Sequence, residues 1–262
     1  MSNTAGVEGM CFLTQSPVRV RILEHLDNEE LLSQRELKDR IDVSRVTVRR
    51  NLDALEEREL ITIADRTCEL TPLGDLVVDE ILPAVETAAV VDQLQPFIER
   101  FPESHLDFDL RALGDATTVV AESADPYAPV NRHIERMETA DRFRALLPAV
   151  GLPAMTVARD CVVEAGSQHE IVVSELLAQT ILDRRGYREL IEEMVSSGNC
   201  KLLISDREIP FYLGLFEEYV QIGVEDDDGT PKALVETDAV EVCEWGERTY
   251  ERYIDGAESF TP

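Results

Sequence analysis

The sequence predicts an α+β protein in two parts, and three observations support this fold class. Residues 17–100 carry apolar side chains mostly at helical spacing, interrupted by one pair of short β-prone runs. Residues 104–262 alternate short apolar or β-branched runs with helical patterns. With 262 residues in all, the chain can form two domains that each bury a core.

The first part contains the signals of three helices followed by a hairpin. In chain order these signals are Pro17 at a helix start, Ser33 and Ser44 as caps of a second and third helix, an end of the third helix near Glu59, and β-prone runs at 60–64 and 67–70. Asp65 and Arg66 form the turn between the two runs. This order of elements is that of a winged helix-turn-helix.

The second part predicts an α/β domain with a mixed sheet, because a hairpin interrupts the alternation of strands and helices. We expect strands at 117–122, 170–174, 200–205, 211–216, 218–224 and 232–238, helices at about 130–147, 174–184, 187–196 and 239–254, and a turn at 226–233. Between the parts lies a long amphipathic stretch in which Pro83 and Pro96 should start, kink or end helical segments. We therefore predict a winged helix-turn-helix at 1–72, a helical linker and candidate dimerisation segment at 73–103, and an α/β effector-sensing or dimerisation domain at 104–262.

The net charge of −28 comes from 53 acidic residues against 25 basic ones, of which only three are lysines. Such a surface stays hydrated where salt screens other charges, which indicates a halophile; an ordinary acidic protein is the alternative. No apolar run could cross a bilayer and no signal peptide is present, so we expect a cytoplasmic protein without a membrane partner. Five isolated cysteines predict buried thiols and no metal site, with a thiol sensor as the alternative.

The third helix can be examined by projection at 100° per residue. Val48, Leu52 and Leu55 fall in one narrow apolar stripe that would pack on the first two helices. Val46, Arg49 and Arg50 fall together on the opposite side, with Arg45 and Thr47 beside them and Asp53 one turn further on. In a recognition helix this face would enter the major groove of double-stranded DNA.

The candidate DNA-binding residues combine the chemistries that base edges and phosphates require. Arginine forks pair with guanine, an apolar side chain meets the thymine methyl, and flanking polar groups hold phosphates. The set is Ser44, Arg45, Val46, Thr47, Arg49, Arg50 and, at the hairpin tip, Arg66. The alternative is that these side chains form an ordinary solvated face.

The stretch VSRVTVRRNLDALEERELI resembles the recognition helix and wing entry of archaeal and bacterial winged-helix regulators. The matching positions are Ser44, Thr47, Val48, Leu52, Leu55, Leu60 and Ile61. Glu59 departs from the pattern, because many relatives have glycine where the helix turns into the wing. The resemblance implies the winged-helix fold and DNA as partner.

The segment from Cys200 to Ala239 and the closing helix EVCEWGERTYERYIDGAES resemble the ligand-sensing domain of haloarchaeal winged-helix regulators. That domain was first described in a methanogenesis regulator and is distantly similar to the effector domain of TrmB-type regulators. Its fold is similar to that of phospholipase-D-type hydrolases, which carry a His-x-Lys pair. None of the histidines, His25, His105, His133 and His169, has a lysine two residues later. We therefore expect no catalytic residue, no metal and no cofactor.

A binding role remains for the second part, in a cleft near strand ends that could hold a small-molecule effector. Asp206, Glu208 and Tyr212 are candidates because their segment falls between two strands, and Arg111 or Arg159 would suit an anionic ligand. Each of these five residues is equally explained by a structural role.

The leading hypothesis is a homodimeric, DNA-binding transcription regulator controlled by an effector. The main alternative is a winged helix that docks another protein of the transcription machinery, since residues 1–85 hold ten basic and seventeen acidic side chains. The arginines of the third helix argue against it, because protein docking does not require that cluster. A third hypothesis is an enzyme with a regulatory winged helix.

Overall fold

The structure is a computed structural model, and it describes residues 4–226 and 228–261. The chain divides into two units, Met1–Ala88 and Ala89–Pro262. The division falls inside the segment 73–103 for which we predicted a linker, and this segment contributes apolar side chains to the cores of both units. Among the helices of the described ranges, none combines the length and apolar character needed to cross a membrane.

The first unit confirms the predicted order of helices and hairpin and adds one helix and one short strand before and within it. Its elements are α1 (Thr4–Thr14), α2 (Pro17–Asn28), β1 (Leu32–Ser33), α3 (Gln34–Ile41), α4 (Arg45–Glu56), β2 (Ile61–Ala64), β3 (Thr67–Leu70) and the first part of α5 (Pro72–Gln93). The strands form an antiparallel sheet in the order β1-β3-β2. This is a winged helix-turn-helix, with the hairpin β2–β3 as the wing.

Side-chain caps and left-handed residues set the ends of the helices around α4. Ser33 and Glu36 form a reciprocal capping box at the start of α3. Asp42, with φ of 53°, turns the chain between α3 and α4, and Glu59, with φ of 59°, turns it from α4 into the wing. The glutamate at position 59 thus adopts the conformation for which glycine is the usual residue, and the turn closes with a hydrogen bond from Leu60 N–H to Leu55 C=O at 3.1 Å.

The start of α5 packs directly on the backbone at the entry to the wing. Thr71 donates its hydroxyl to Glu59 C=O at 2.6 Å and its N–H to Leu60 C=O at 3.1 Å. A Cβ at Gly74 would lie 2.0 Å from the Leu60 carbonyl oxygen. Glycine is therefore required at position 74, because only a residue without a side chain permits this approach.

The second unit is an α/β domain with a mixed sheet, as predicted, and core side chains lie on both faces of that sheet. Its elements after the end of α5 are α6 (Gln95–Ile98), β4 (Thr117–Val120), α7 (Ala128–Met137), β5 (Arg142–Leu147), α8 (Leu152–Arg159), β6 (Gln168–Ser174), α9 (Glu175–Asp183), α10 (Arg185–Ser196), β7 (Cys200–Ser205), β8 (Tyr212–Leu215), β9 (Val220–Glu225), β10 (Pro231–Thr237), α11 (Val240–Ile254) and β11 (Glu258–Ser259). The strand order is β11-β7-β6-β5-β8-β9-β10-β4. Strands β5, β6 and β7 are parallel, and the other pairs are antiparallel.

One element of the second unit corrects the sequence analysis. The helix predicted over about 130–147 ends at Met137, and residues 142–147 form β5 in the middle of the sheet. Phe143 and Ala145 contribute to the core on one face of the sheet, and Leu146 to the core on the other. A strand buried on both faces lacks polar–apolar alternation, so its short apolar run reads equally well as the end of a helix. The turn predicted at 226–233 ends earlier than predicted, because β10 already begins at Pro231; Asp227 is outside the described residues.

The connection from β7 to β8 passes across the carboxyl edge of the parallel strands. In the sheet, β6 and β5 lie between β7 and β8. Because β7 runs parallel to both and β8 runs antiparallel to β5, residues 206–211 must cross the carboxyl ends of β6 and β5. Ile209 and Phe211 of this crossing loop are buried in the core beside α11, while Asp206 and Glu208 are exposed.

Helix α7 rests on a polar layer at the sheet surface. The carboxylate of Glu236 is buried and accepts hydrogen bonds from Arg132, Arg136 and Gln221. The hydroxyl of Tyr212 lies 2.8 Å from Nδ1 of His133 and 3.2 Å from Oε1 of Gln221. These bonds join α7 to strands β8, β9 and β10, so the polar side chains fix the position of the helix on the sheet.

Replacing Gly74 by alanine should destabilise the protein, because the new methyl group would overlap the Leu60 carbonyl. We expect a loss of about 1 to 3 kcal/mol in the free energy of unfolding. Thermal or chemical unfolding followed by circular dichroism in molar KCl measures it. Gly186→Ala is the matched control, since a Cβ at Gly186 of α10 would meet only Leu152 Cδ1, at an ordinary contact distance of 3.9 Å. Equal stability of Gly74→Ala and wild type would contradict the close packing.

A second prediction concerns His169, which is 2% exposed and lies edge-on to Phe143. Both of its ring nitrogens lack a hydrogen-bond partner within the described residues. Burial, reinforced by His133, lowers the pKa of His169 from 6.5 to about 4. As the pH falls, His169 is therefore protonated in the unfolded chain before it is protonated in the folded protein. The free energy of unfolding falls as the pH falls from about 6.5 to about 4.

The change His169→Phe should remove this part of the acid sensitivity while keeping an aromatic ring beside Phe143. Relative to wild type, the loss of unfolding free energy between pH 7.5 and pH 4.5 should shrink by about 2 to 3 kcal/mol. Chemical unfolding at the two pH values measures the difference. The same loss in both proteins would show that the His169 imidazole titrates normally in the folded state.

Candidate DNA-binding surface

Helix α4 is anchored in the first unit by the apolar stripe that the sequence predicts. Val48, Leu52 and Leu55 are buried in a core shared with α2 and α3. Asn51 is buried with them, accepting a hydrogen bond from Ser16 Oγ at 2.9 Å and donating one to Thr47 C=O at 2.8 Å. The amide of Asn51 joins the start of α2 to the middle of α4. The opposite face of α4 is exposed.

The N-terminal half of α4 exposes the side chains for which we predicted a shared face. Val46 is 78% exposed, and the side chains of Arg45, Arg49 and Arg50 are exposed with it. An isolated valine at this level of exposure has no packing role in the unit. The ion pair of Arg49 with Asp53 is long, at 3.8 Å, and fully solvated, so it holds the guanidinium only weakly.

The arginines of this surface are poor in ion pairs although the chain is rich in carboxylates. Among the described residues, Arg45, Arg50 and Arg66 have no carboxylate within 4.0 Å. Most arginines of the second unit do, and Arg159 contacts Glu193, Asp160 and Glu164 at once. In a chain with twice as many acids as bases, an unneutralised arginine group leaves a local positive charge that an external anion can meet.

Ser44 and Thr47 have their hydroxyl groups engaged at the start of α4. Ser44 Oγ accepts a hydrogen bond from Thr47 N–H at 3.1 Å and lies 2.8 Å from Thr47 Oγ1. Ser44 is therefore the cap of α4, as predicted, and it fixes where the exposed helix begins. The two hydroxyls border the arginine face, and each retains capacity to contact a phosphate.

Arg66 lies exposed at the tip of the wing, in a two-residue turn. Asp65 and Arg66 have φ of 50° and 69°, the left-handed pair that a tight hairpin requires. The backbone carbonyl of Arg66 accepts a hydrogen bond from Gln34 N–H at 3.1 Å, which ties the wing to the start of α3. The turn thus holds its backbone in place and leaves the guanidinium in solvent.

The sequence analysis missed two residues of this unit that carry charge near α4. Arg19 of α2 and Arg58, just beyond α4, both stack on the ring of Phe12 in α1. A helical projection of one helix cannot reveal them, because the three residues come from different elements. In the sequence, the only indication of this charge was that Arg19 follows two residues after Pro17, at the start of a helix.

The effector candidates of the second unit have separate surroundings. Tyr212 belongs to the polar layer under α7, and Arg159 is held by Glu193 of α10 at 2.8 Å. Arg111 donates from Nε to Asp109 at 3.0 Å, and their pairing lowers the pKa of that carboxyl. Asp206 and Glu208 are exposed in the crossing loop. The structure brings only these last two together on one segment.

Two family models match the chain, one in each part. Residues 126–256, half of the chain, match the middle domain of the methanogenesis regulatory protein FilR1. Residues 7–93 match the HVO_A0261 N-terminal domain. Among curated protein sequences, none matches this one.

Solved structures give weaker similarities. TrmBL2, an archaeal chromatin protein that shows a novel mode of DNA binding, is 16% identical, with 96% of this chain and 98% of that chain covered and a TM-score of 0.41. The phospholipase D family member Nuc from Salmonella typhimurium is 14% identical, with 56% and 99% covered and a TM-score of 0.45. These scores are too low to support an assignment. The assignment rests on the family model that spans half of the chain: this winged helix-turn-helix protein belongs to the family of the methanogenesis regulatory protein FilR1, whose middle domain it contains.

Proposed function

We propose that the chain is a DNA-binding transcription regulator that reads an operator through the N-terminal half of α4. The observation that carries the proposal is the exposed face of Val46, Arg49 and Arg50, held outward by a buried opposite face. Arginine forks meet O6 and N7 of guanine, and valine meets the methyl group of thymine. Arg66 at the wing tip and the hydroxyls of Ser44 and Thr47 would hold phosphates on either side.

The competing function is a winged helix that docks an acidic or apolar surface of another protein. Its support is the net negative charge of the first unit, which opposes approach to DNA at low salt. Exposed arginines without carboxylate partners favour DNA over an apolar protein surface, because burying unpaired guanidinium groups against apolar groups is unfavourable. In the concentrated salt to which we attribute the acidic composition, the opposing long-range field is screened within a few ångströms.

We propose further that the regulator is a homodimer, paired through α1 and the first half of α5. Within the first unit these helices border a groove of about 480 Å³ lined largely by apolar side chains. Phe12 and Arg58 also line it, and the proposed interface is confined to the part formed by Met10, Leu73 and Leu76, apart from these two residues. Met10, Leu73 and Leu76 are exposed along it, and Leu76 is 67% exposed. Apolar side chains gathered on so acidic a surface are typical of an interface. A dimer would present two copies of α4 to successive major grooves, about 34 Å apart.

The second unit would act as a binding domain and not as an enzyme. The two residues best placed to meet an effector are Asp206 and Glu208, because they are exposed where the crossing loop passes the carboxyl ends of parallel strands. Ligands of open α/β sheets commonly bind at this edge. A ligand at Arg111, Arg159 or Tyr212 would first have to displace intramolecular partners. Carboxylates suit an effector that offers hydroxyl or ammonium groups.

The direct test of operator reading is the removal of the α4 guanidinium groups. Arg49→Ala and Arg50→Ala should each weaken binding to the DNA upstream of the protein's own gene by about 10- to 100-fold, the discrimination of one guanine contact. A gel-shift or anisotropy titration in molar KCl measures this, with folding checked by circular dichroism. Arg185→Ala is the control, because Arg185 is an exposed arginine of α10 in the second unit. Unchanged binding by both α4 variants would contradict the assignment of the helix.

The proposed dimer interface is tested by placing a charge in the groove. Leu76→Asp should convert the dimer to a monomer, because two carboxylates would become buried without partners. Sedimentation equilibrium in molar KCl gives the mass directly. Leu176→Asp, at a leucine of α9 that is 76% exposed, should leave the mass unchanged. Dimers of equal stability in both variants, or a monomeric wild type, would overturn the interface.

A further inference from the structure

A cluster of three arginines lies beside the recognition face and joins three elements through one aromatic ring. The guanidinium carbons of Arg19 and Arg58 lie 4.0 and 3.9 Å from the centroid of the Phe12 ring. Arg19 also donates from Nη1 to the backbone carbonyl of Phe12. Phe12 therefore fixes both cations with cation–π contacts, which hold arginine side chains that would otherwise move freely.

The charge of this cluster is not balanced by the protein. None of Arg19, Arg50 and Arg58 has a carboxylate within ion-pair distance in the part of the chain that the structure describes. Burial, and after it the charges of Arg50 and Arg58, lower the pKa of Arg19. Arg50 and Arg58 thus both repel the guanidinium group of Arg19, and an anion bound beside it would relieve that repulsion.

One donor of the cluster is also left without a partner. Nε of Arg19 is buried and makes no hydrogen bond within the described residues. This nitrogen is closed to solvent, so an acceptor from outside would meet the remaining N–H groups of the Arg19 and Arg58 guanidinium groups. Phosphate oxygens are such acceptors, and arginine forks match them in geometry.

Arg50 connects this cluster to the recognition face of α4. It lies on the exposed side of the helix with Val46 and Arg49, and its charge acts on Arg19 of α2. The positive surface therefore continues from the helix face toward Arg58, at the end of α4. A DNA strand that borders the major groove presents a phosphate at every nucleotide along such a path.

We propose that Arg19 and Arg58, held by Phe12 beside Arg50, form a binding site for a backbone phosphate of the DNA strand that borders the groove entered by α4. The inference rests on the proposed function and adds to it a contact that does not read sequence. Phe12 is a positioning residue, because it acts on DNA through the two arginines.

The test compares two duplexes of equal length, the upstream region and a shuffled sequence, in anisotropy titrations over a KCl series. Arg19→Gln and Arg58→Gln should weaken binding to both duplexes by the same factor, about tenfold. The log–log dependence of affinity on salt should become less negative by about 0.9 in each variant, the loss of one phosphate contact. Phe12→Leu keeps an apolar side chain and should show a smaller loss, whereas Arg185→Gln should match wild type.

The outcomes separate this inference from the proposed function. Unchanged affinity of Arg19→Gln and Arg58→Gln for both duplexes, with Arg49→Ala still losing the upstream region, would overturn the phosphate site and leave the regulator intact. Weakening confined to the upstream duplex, or weakening with an unchanged salt dependence and a lower melting temperature, would also overturn it. Failure of the wild type to bind either duplex would overturn the proposed function and this inference together.

Discussion

The structure of the first unit depends on the way α4 is held, buried along one face and bare along the other. Three apolar side chains and the amide of Asn51 anchor the buried face, and Ser44 fixes the first turn. Left-handed residues at positions 42 and 59 then turn the chain away from both ends of the helix. Because no element of the described residues packs on the opposite face, the first two turns of the helix present arginine and valine to solvent in a fixed orientation.

The arginines of this bare face differ from those of the second unit in their ion pairing. In the second unit, arginines are used as intramolecular partners: Glu236 gathers two of them beneath α7, and Arg159 binds three carboxylates. Around α4 several arginines have no carboxylate partner, and Arg50 and Arg58 lie close enough to Arg19 to lower its pKa. Arginine thus stabilises the second unit through ion pairs, whereas around α4 it supplies positive charge without a carboxylate partner. The contrast is more informative than the net charge, which is negative for both parts of the chain.

The sequence was sufficient wherever a local rule determines the structure. Ser33 and Ser44 mark helix starts because capping is a contact between neighbours in sequence, and the wing follows from two β-prone runs around a tight turn. The sequence was insufficient where a side chain is buried by elements that are distant along the chain. In sequence, strand β5 looks like the end of a helix because both of its faces are covered. Asn51 looks like a surface residue because it is polar, although it is buried. Helix α1 was not predicted because its two glycines lower its helix propensity. Arg19 and Arg58 join the site only through Phe12, a contact between three elements that no periodicity contains.

Methylation interference with dimethyl sulfate tests whether α4 reads the major groove. This reagent modifies guanine N7 in the major groove and adenine N3 in the minor groove, the two edges that distinguish one docking geometry from the other. We expect N7 methylation to block binding at two clusters of guanines, about one helical turn apart for a two-fold operator. Binding that is insensitive to N7 methylation, or is blocked only by adenine N3 methylation, would contradict it.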